Sequence, residues 1–282
     1  MKNYGLKIQE LKPTDYIFGS ALPFEEINTS GDWIEFLPYK ERQDLNGIEP
    51  YACVSFTILN CLEMLVKKQY GEDRNWSDRF LASISGTKEG GNSPVVVCDF
   101  LRKLGVVPQD IFPFDEKITS FEEFYSPISQ ELYDIAKEFL AEFEFKYEFV
   151  PDDKEQIKKA LKCSPLLISV VAWFSKDDKY VRPEGMADNH ATTLIAVKEG
   201  EYKRVFDSYA DGEGDPFLKD YEWNAPHSII MRFWIKHKKI EIIKDTPVKD
   251  ISVKDNWVIE LITAFYYFIK DICLLIRDKI KI

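Results

Sequence analysis

The sequence predicts an α+β chain, with a helical first half and a strand-rich second half that form two lobes. Three observations carry this. Up to about residue 143 the apolar residues recur at helical spacing, most clearly from Cys53 to Tyr70. From there the period changes: Phe143, Phe145, Tyr147 and Phe149 alternate with Glu144, Lys146 and Glu148, the two-residue repeat of a half-buried strand. The composition is that of a globular protein, 45% hydrophobic and 30% charged over 282 residues, which suffices for one two-lobed domain or two small ones.

Met1 to about Gln43 reads as an arm of loops and short strands, because Pro13, Pro23 and Pro38 interrupt any long helix. In the Cys53 to Tyr70 helix, Phe56, Leu59, Leu62, Met64 and Val66 supply apolar faces and Gly71 supplies the stop. Ser93-Pro94 reads as an N-cap with proline at the first helical position, opening a helix over Val95 to Leu104. Ser129 to Phe143 is a further amphipathic helix, and Lys154 to Leu161 a short one. Pro165 to Trp173 is a buried strand, followed by strands over Ala191 to Val197, Tyr202 to Ser208 and Ser228 to Trp234. No internal repeat or low-complexity stretch is present.

The tail differs. Asp245 to Asp255, with Pro247 and several charges, reads as a linker, and an amphipathic helix runs from about Trp257 to Arg277. Its uncharged stretch between Glu260 and Lys270 falls well short of the roughly 20 residues that span a bilayer. Its apolar stripe is wide and has to be buried. Packing on its own domain or on a second copy of the chain is the preferred reading, and an interfacial membrane helix the alternative. The expected organisation is therefore one domain over 1–244, with 1–43 as its N-terminal arm, and a linker and helix over 245–282.

A formal net charge of −11 repels phosphate and removes support for a nucleic-acid partner, whereas a basic polypeptide would be attracted. The five cysteines, Cys53, Cys61, Cys98, Cys163 and Cys273, are odd in number and lack CxxC spacing. A disulfide framework or zinc site is not expected, no metal or other cofactor is predicted, and a reducing compartment follows. Met1 to Lys7 lacks the apolar core of a secretory signal, so the expected location is the cytoplasm of the producing cell, or a particle released by lysis.

Three residues stand in a chemically suggestive order. Cys53 opens a helix, where unsatisfied N–H groups and the positive dipole end favour a thiolate. Taken alone it reads equally as a small buried apolar residue. His190 is one of three histidines and starts the apolar run Ala191 to Val197. His237 lies in the charged run Lys236 to Lys239 and reads as solvated, and His227 follows Pro226 and reads as structural. Asp207 ends the next strand-like run, so a hairpin would bring it beside His190 to orient the imidazole. As an isolated residue it would be a turn carboxylate.

The order of thiol, imidazole and orienting group resembles papain-like cysteine proteases, as does the separation of about 130–150 residues between nucleophile and partners. The resemblance extends along much of Gln43 to Trp223. Glu41-Arg42-Gln43 is similar to the segment with the oxyanion-hole glutamine, and Ala52-Cys53 to the small residue and nucleophile. Gly90-Gly91-Asn92-Ser93-Pro94 resembles the glycine-rich wall of the substrate cleft, although the two glycines also fit an ordinary loop before a capped helix. Asp110 to Phe114 resembles the aromatic-proline turn, Pro165 to Val170 the strand leading toward the histidine, and Asn189-His190-Ala191 matches most closely.

The resemblance implies a two-lobed cysteine peptidase with a C-terminal helical tail. Cys53, His190 and Asp207 would form its triad, Gln43 would be the oxyanion donor, Gly90, Gly91 and Asn92 would bind substrate, and a polypeptide would be the partner. There are departures. Pro50 replaces a disulfide cysteine, Val54 an aromatic residue, Asp207 an asparagine, and Tyr209 the tryptophan that shields the pair. The Gln43 to Cys53 spacing is long, which makes Asn46 the second choice for the oxyanion. No long inhibitory pro-segment is expected. Without signal, pro-segment or disulfide the chain resembles members encoded by tailed bacteriophages, with Phe18-Gly19-Ser20 and Ser30-Gly31-Asp32-Trp33 leaning the same way. Two further functions stay open. One is a peptidoglycan-cleaving cysteine amidase or endopeptidase; the other is an inactive papain-like subunit of a phage particle.

Overall fold

The computed structural model of the protein describes residues 2–12, 15–211 and 214–238. The linker and helix expected beyond Asp245 lie outside these residues. Six helices are α1 (Cys53–Tyr70), α2 (Asp78–Ile84), α3 (Pro94–Leu104), α4 (Phe121–Phe124), α5 (Gln130–Glu142) and α6 (Lys154–Cys163). Eight strands are β1 (Phe143–Phe149), β2 (Leu166–Val170), β3 (Phe174–Lys176), β4 (Lys179–Val181), β5 (His190–Lys198), β6 (Tyr202–Phe206), β7 (Leu218–Glu222) and β8 (Ile230–His237). They form one sheet in the order β1-β8-β2-β5-β6-β7-β4-β3, antiparallel except where β4 meets β7. The α+β expectation holds.

α1 is buried on every side from Cys53 to Val66, which is why its sequence is apolar nearly all round and not striped. It ends at Gly71, whose φ of 70° lies in the left-handed region that glycine enters without strain. α2 is capped by Ser77, whose hydroxyl accepts from the Phe80 N–H, and α6 by Asp153, whose carboxylate accepts from the Glu155 and Gln156 N–H groups. Pro94 begins α3 at its first turn, but the Ser93 hydroxyl makes no cap bond and instead meets Gln9 of the arm.

All of β2 and the first seven residues of β5 are buried, so this part of the sheet is covered on both faces. Val170 pairs with His190, and Thr193 with Phe206. That register, set by apolar residues that must stay inside, carries the start of β5 to the end of β6. The strict alternation read for β1 breaks at Glu148, which is fully buried. The Arg232 charge, with Nε at 2.5 Å, offsets its carboxylate, which accepts from the N–H groups of Gly19 and Leu22.

Candidate active site

Cys53 is the first residue of α1 and is completely buried. Its Sγ accepts a hydrogen bond from the Ala191 N–H at 3.4 Å, so the helix start and the β5 start meet here. Burial pushes the thiol well above its ordinary value; the Ala191 and Val54 N–H groups oppose this, and the negative charges of Glu49 and Asp207 add to it. The sulfur described is fully buried, not at an open cleft surface.

His190 and Asp207 are also fully buried, with His190 Nε2 at 2.9 Å from Asp207 Oδ1. The Nδ1 of His190 has no hydrogen-bond partner among the described residues. Asp207 Oδ1 additionally accepts from the Tyr209 N–H at 3.1 Å, and Oδ2 from Trp173 Nε1 at 3.1 Å. Burial alone would raise the Asp207 carboxyl. The His190 and Lys219 charges and the hydrogen bonds from His190 and Trp173 outweigh it and hold the group well below the carboxylate range.

Trp173 and Lys219 were not singled out in the sequence. Trp173 leaves β2 three residues past the Val170–His190 pair, and its ring lies 5.3 Å from that of His190. Tyr209 packs on the same imidazole, its ring 5.4 Å away, so both aromatic rings flank His190. Lys219 comes from β7 and is buried, with its Nζ 3.5 Å from Asp207 Oδ2 and 2.8 Å from Asp211. A tryptophan ending the strand that pairs with His190 was the legible signal for the first; the second depends on strand order alone.

Gln43 is buried beside these groups. Its Nε2 donates to the Tyr4 carbonyl at 3.0 Å, the Tyr209 hydroxyl at 3.0 Å and Glu49 Oε1 at 3.1 Å. Asn46 does not join them: its amide is exposed and donates to the Asp115 and Ile118 carbonyls. Gln43, the first choice, is the one brought to the site.

Gly90, Gly91 and Asn92 lie against the N-terminal segment of the chain. Asn92 N–H donates to the Gly5 carbonyl and the Lys7 N–H to the Asn92 carbonyl, both at 2.9 Å, while Asn3 donates to the Gly90 carbonyl at 3.3 Å. On the opposite side the Tyr4 N–H donates to the Asn189 carbonyl at 2.9 Å, and the Asn189 amide to the Lys2 carbonyl at 2.8 Å. The Tyr4 ring packs 4.7 Å from Trp173 and 6.0 Å from His190, and Leu6 is buried. The segment lies between residues 90–92 and Asn189, a placement the sequence did not suggest. These few residues of irregular chain are held by backbone bonds that carry no sequence signature, and they lie beside His190.

The remaining histidines divide. His227 is structural as expected, with Nδ1 at 2.8 Å from the Ser169 carbonyl and Nε2 at 3.0 Å from Lys203 Nζ. His237 is not a solvated charge. Its ring lies 4.3 Å from Tyr70 and 4.5 Å from Phe143, and its nitrogens face Glu72 and Glu142. The end of β8 bends it onto the α1 terminus. Cys61, Cys98 and Cys163 are unbridged and buried.

Known structures share this architecture. Xylellain, a cysteine protease from Xylella fastidiosa, superposes with a TM-score of 0.59 at 16% identity, covering 84% of this chain and 96% of its own. The fold is papain-like. Digestive procathepsin L 3 of Tenebrio molitor larval midgut gives 0.53 at 13% identity, covering 82% of this chain and 74% of its own. The bromelain protease from Ananas comosus in complex with the E64 inhibitor gives 0.52 at 19% identity, covering 71% and 96%. No protein-family model matches the sequence, and no curated protein does.

Proposed function

We propose that the chain is a cysteine peptidase that hydrolyses peptide bonds through Cys53, His190 and Asp207, and that its own N-terminal segment holds it latent. The observation that carries the reading is the His190–Asp207 pair, whose remaining ring nitrogen has no partner, at the helix start that bears Cys53. A papain-like fold supports it, as do neighbours described as a cysteine protease and as a protease.

With a peptide in place of Lys2 to Leu6, the Cys53 proton passes to His190 Nδ1 and the sulfur attacks the scissile carbonyl carbon. Asp207, anionic and fixed by Trp173 and Lys219, holds the imidazole by Nε2 and stabilises it when charged. Gln43 Nε2, which holds the Tyr4 carbonyl in the described state, turns to the oxyanion, a contact worth about 3–4 kcal/mol in the transition state. His190 returns the proton to the leaving amine, and water then releases the acyl group from sulfur with His190 as base.

The bromelain neighbour was solved with the E64 inhibitor, which makes that compound a direct probe. Full-length protein is incubated with E64 and its mass measured, then tested on casein and on purified cell walls. A single adduct on Cys53 with casein hydrolysis supports the reading. Cell-wall cleavage without casein cleavage would replace the substrate class, and a Cys53 left unmodified after prolonged incubation in both the parent and a Gly5→Ala variant would remove the peptidase.

A further inference from the structure

One cation of the N-terminal segment reaches the catalytic groups. Lys2 Nζ lies 3.1 Å from Glu49 Oε2 and 4.8 Å from the centre of the Tyr4 ring. The Lys2 carbonyl accepts from the Asn189 amide at 2.8 Å. Two residues along, the Tyr4 carbonyl is held at 3.0 Å by Gln43 Nε2, the group that the proposed mechanism turns to the oxyanion. The ammonium therefore stands two residues along the chain from the place where a scissile carbonyl is to be held.

Glu49 is built into this end of the site. It lies between Gln43 and Cys53, four residues before the nucleophile. Its Oε1 accepts from Gln43 Nε2 at 3.1 Å and from the Tyr51 N–H at 3.2 Å. The Tyr209 hydroxyl donates to the same carboxylate, 2.6 Å from Oε2 and 2.8 Å from Oε1. These three donors fix the group but carry no charge. Among the described residues Lys2 is the one cation within ion-pair distance of it. With Lys2 in place the Glu49 side chain is 16% exposed and the Lys2 side chain 57%, so the carboxylate is covered by the protein and approached by the ammonium from solvent.

When a peptide replaces Lys2 to Leu6, Glu49 loses its counter-charge and keeps its neutral donors. A largely covered carboxylate without a counter-charge is costly, and a cation brought by the incoming peptide restores the pair. We infer that Glu49 is a specificity-determining residue, which selects substrates carrying a lysine or arginine about two residues from the scissile bond. Lys2 is the chain's own stand-in for that side chain. The inference rests on the peptidase reading and adds the substrate class to it. A net charge of −11 favours the same peptides at longer range.

The test uses the full-length Gly5→Ala protein, because a Cβ at residue 5 collides with the Tyr51 backbone and loosens the segment. Its substrates are peptides of one sequence in which a lysine, or norleucine as its uncharged counterpart, is moved one position at a time along both sides of the scissile bond. At one position lysine should raise kcat/KM over norleucine by roughly fivefold or more. Adding Glu49→Gln should bring that ratio to about one, whereas Glu49→Asp, which keeps the charge, should preserve the preference. Because Glu49 also touches Gln43, its substitution changes the rate on every peptide, and that common factor cancels in the ratio. Lys2→Met, which removes only the segment's ammonium, should speed both peptides alike and leave the ratio as it was. A lysine-to-norleucine ratio unchanged by Glu49→Gln would overturn the role of Glu49 and leave the peptidase intact. Cleavage of no peptide by any of these proteins would overturn both.

Discussion

Asp207 shows how much one carboxylate can be asked to hold. It faces His190, Trp173 and Lys219 at once, and is itself fully buried together with His190 and Lys219. Replacing Asp207 with alanine strands the buried Lys219 with Asp211 as its remaining carboxylate and releases the imidazole. Turnover should slow, and urea unfolding should show a loss of about 3 kcal/mol, since breaking the buried pair leaves the Lys219 charge compensated only by a half-exposed carboxylate. Cys53→Ala should abolish turnover. Because the sulfur is fully buried, that variant should also lose about 1 kcal/mol of stability, more than a side chain at an open surface would cost. A Cys53→Ala protein with full activity would remove Cys53 as the nucleophile.

At this scale the sequence was readable wherever function coincided with a local pattern. Cys53 was marked by a helix start, His190 by a strand start and Asp207 by a strand end. Trp173 and Lys219 were not, because they reach Asp207 through sheet register and strand order, which no short stretch of sequence displays. His237 was misread because Lys236 to Lys239 suggests solvent, while tertiary packing places the ring on Tyr70 and Phe143.

Among the elements, the N-terminal segment is the one whose role the sequence hid. Its fit depends on Gly5, whose φ of 121° is in the region reserved for glycine; a Cβ there would collide with the Tyr51 backbone. Gly91 faces Gly5 just as closely. Gly5→Ala should therefore expel the segment without touching the site. The measurement is the rate at which iodoacetamide alkylates Cys53 in the folded protein. It should rise about tenfold for each 1.4 kcal/mol by which docking is weakened. An unchanged rate would mean that the segment does not guard the thiol.

The strands around His227 carry a second expectation. Burial and the neighbouring Lys203 charge lower its pKa to about 3, against an ordinary value near 6.5. The folded state then binds fewer protons than the unfolded chain between those values. Stability should be fully present above about pH 6.5 and fall as pH drops toward 3, by up to about 1.4 kcal/mol per pH unit from this residue. Urea unfolding of His227→Gln between pH 7 and 5 should show a slope shallower by roughly 0.7 proton on average, approaching one near pH 5. Equal slopes would place the acid sensitivity elsewhere.

For the whole molecule, the change in apolar period near Phe143 was enough to divide helices from strands, and the observed sheet begins there. The topology was legible only through the family resemblance, because β8 returns between β1 and β2 from the far end of the described chain. With a net charge of −11 the molecule should draw basic polypeptides toward it, an attraction that added salt would weaken. The central claim, a cysteine peptidase covered by its own N-terminal segment, is tested most directly by casein hydrolysis in four proteins: the parent chain, Gly5→Ala, and each combined with Cys53→Ser. The account predicts slow turnover by the parent, faster turnover by Gly5→Ala, and none in either Cys53→Ser protein. It is contradicted if Gly5→Ala exposes Cys53 to alkylation yet cleaves nothing, or if cleavage survives the loss of Cys53.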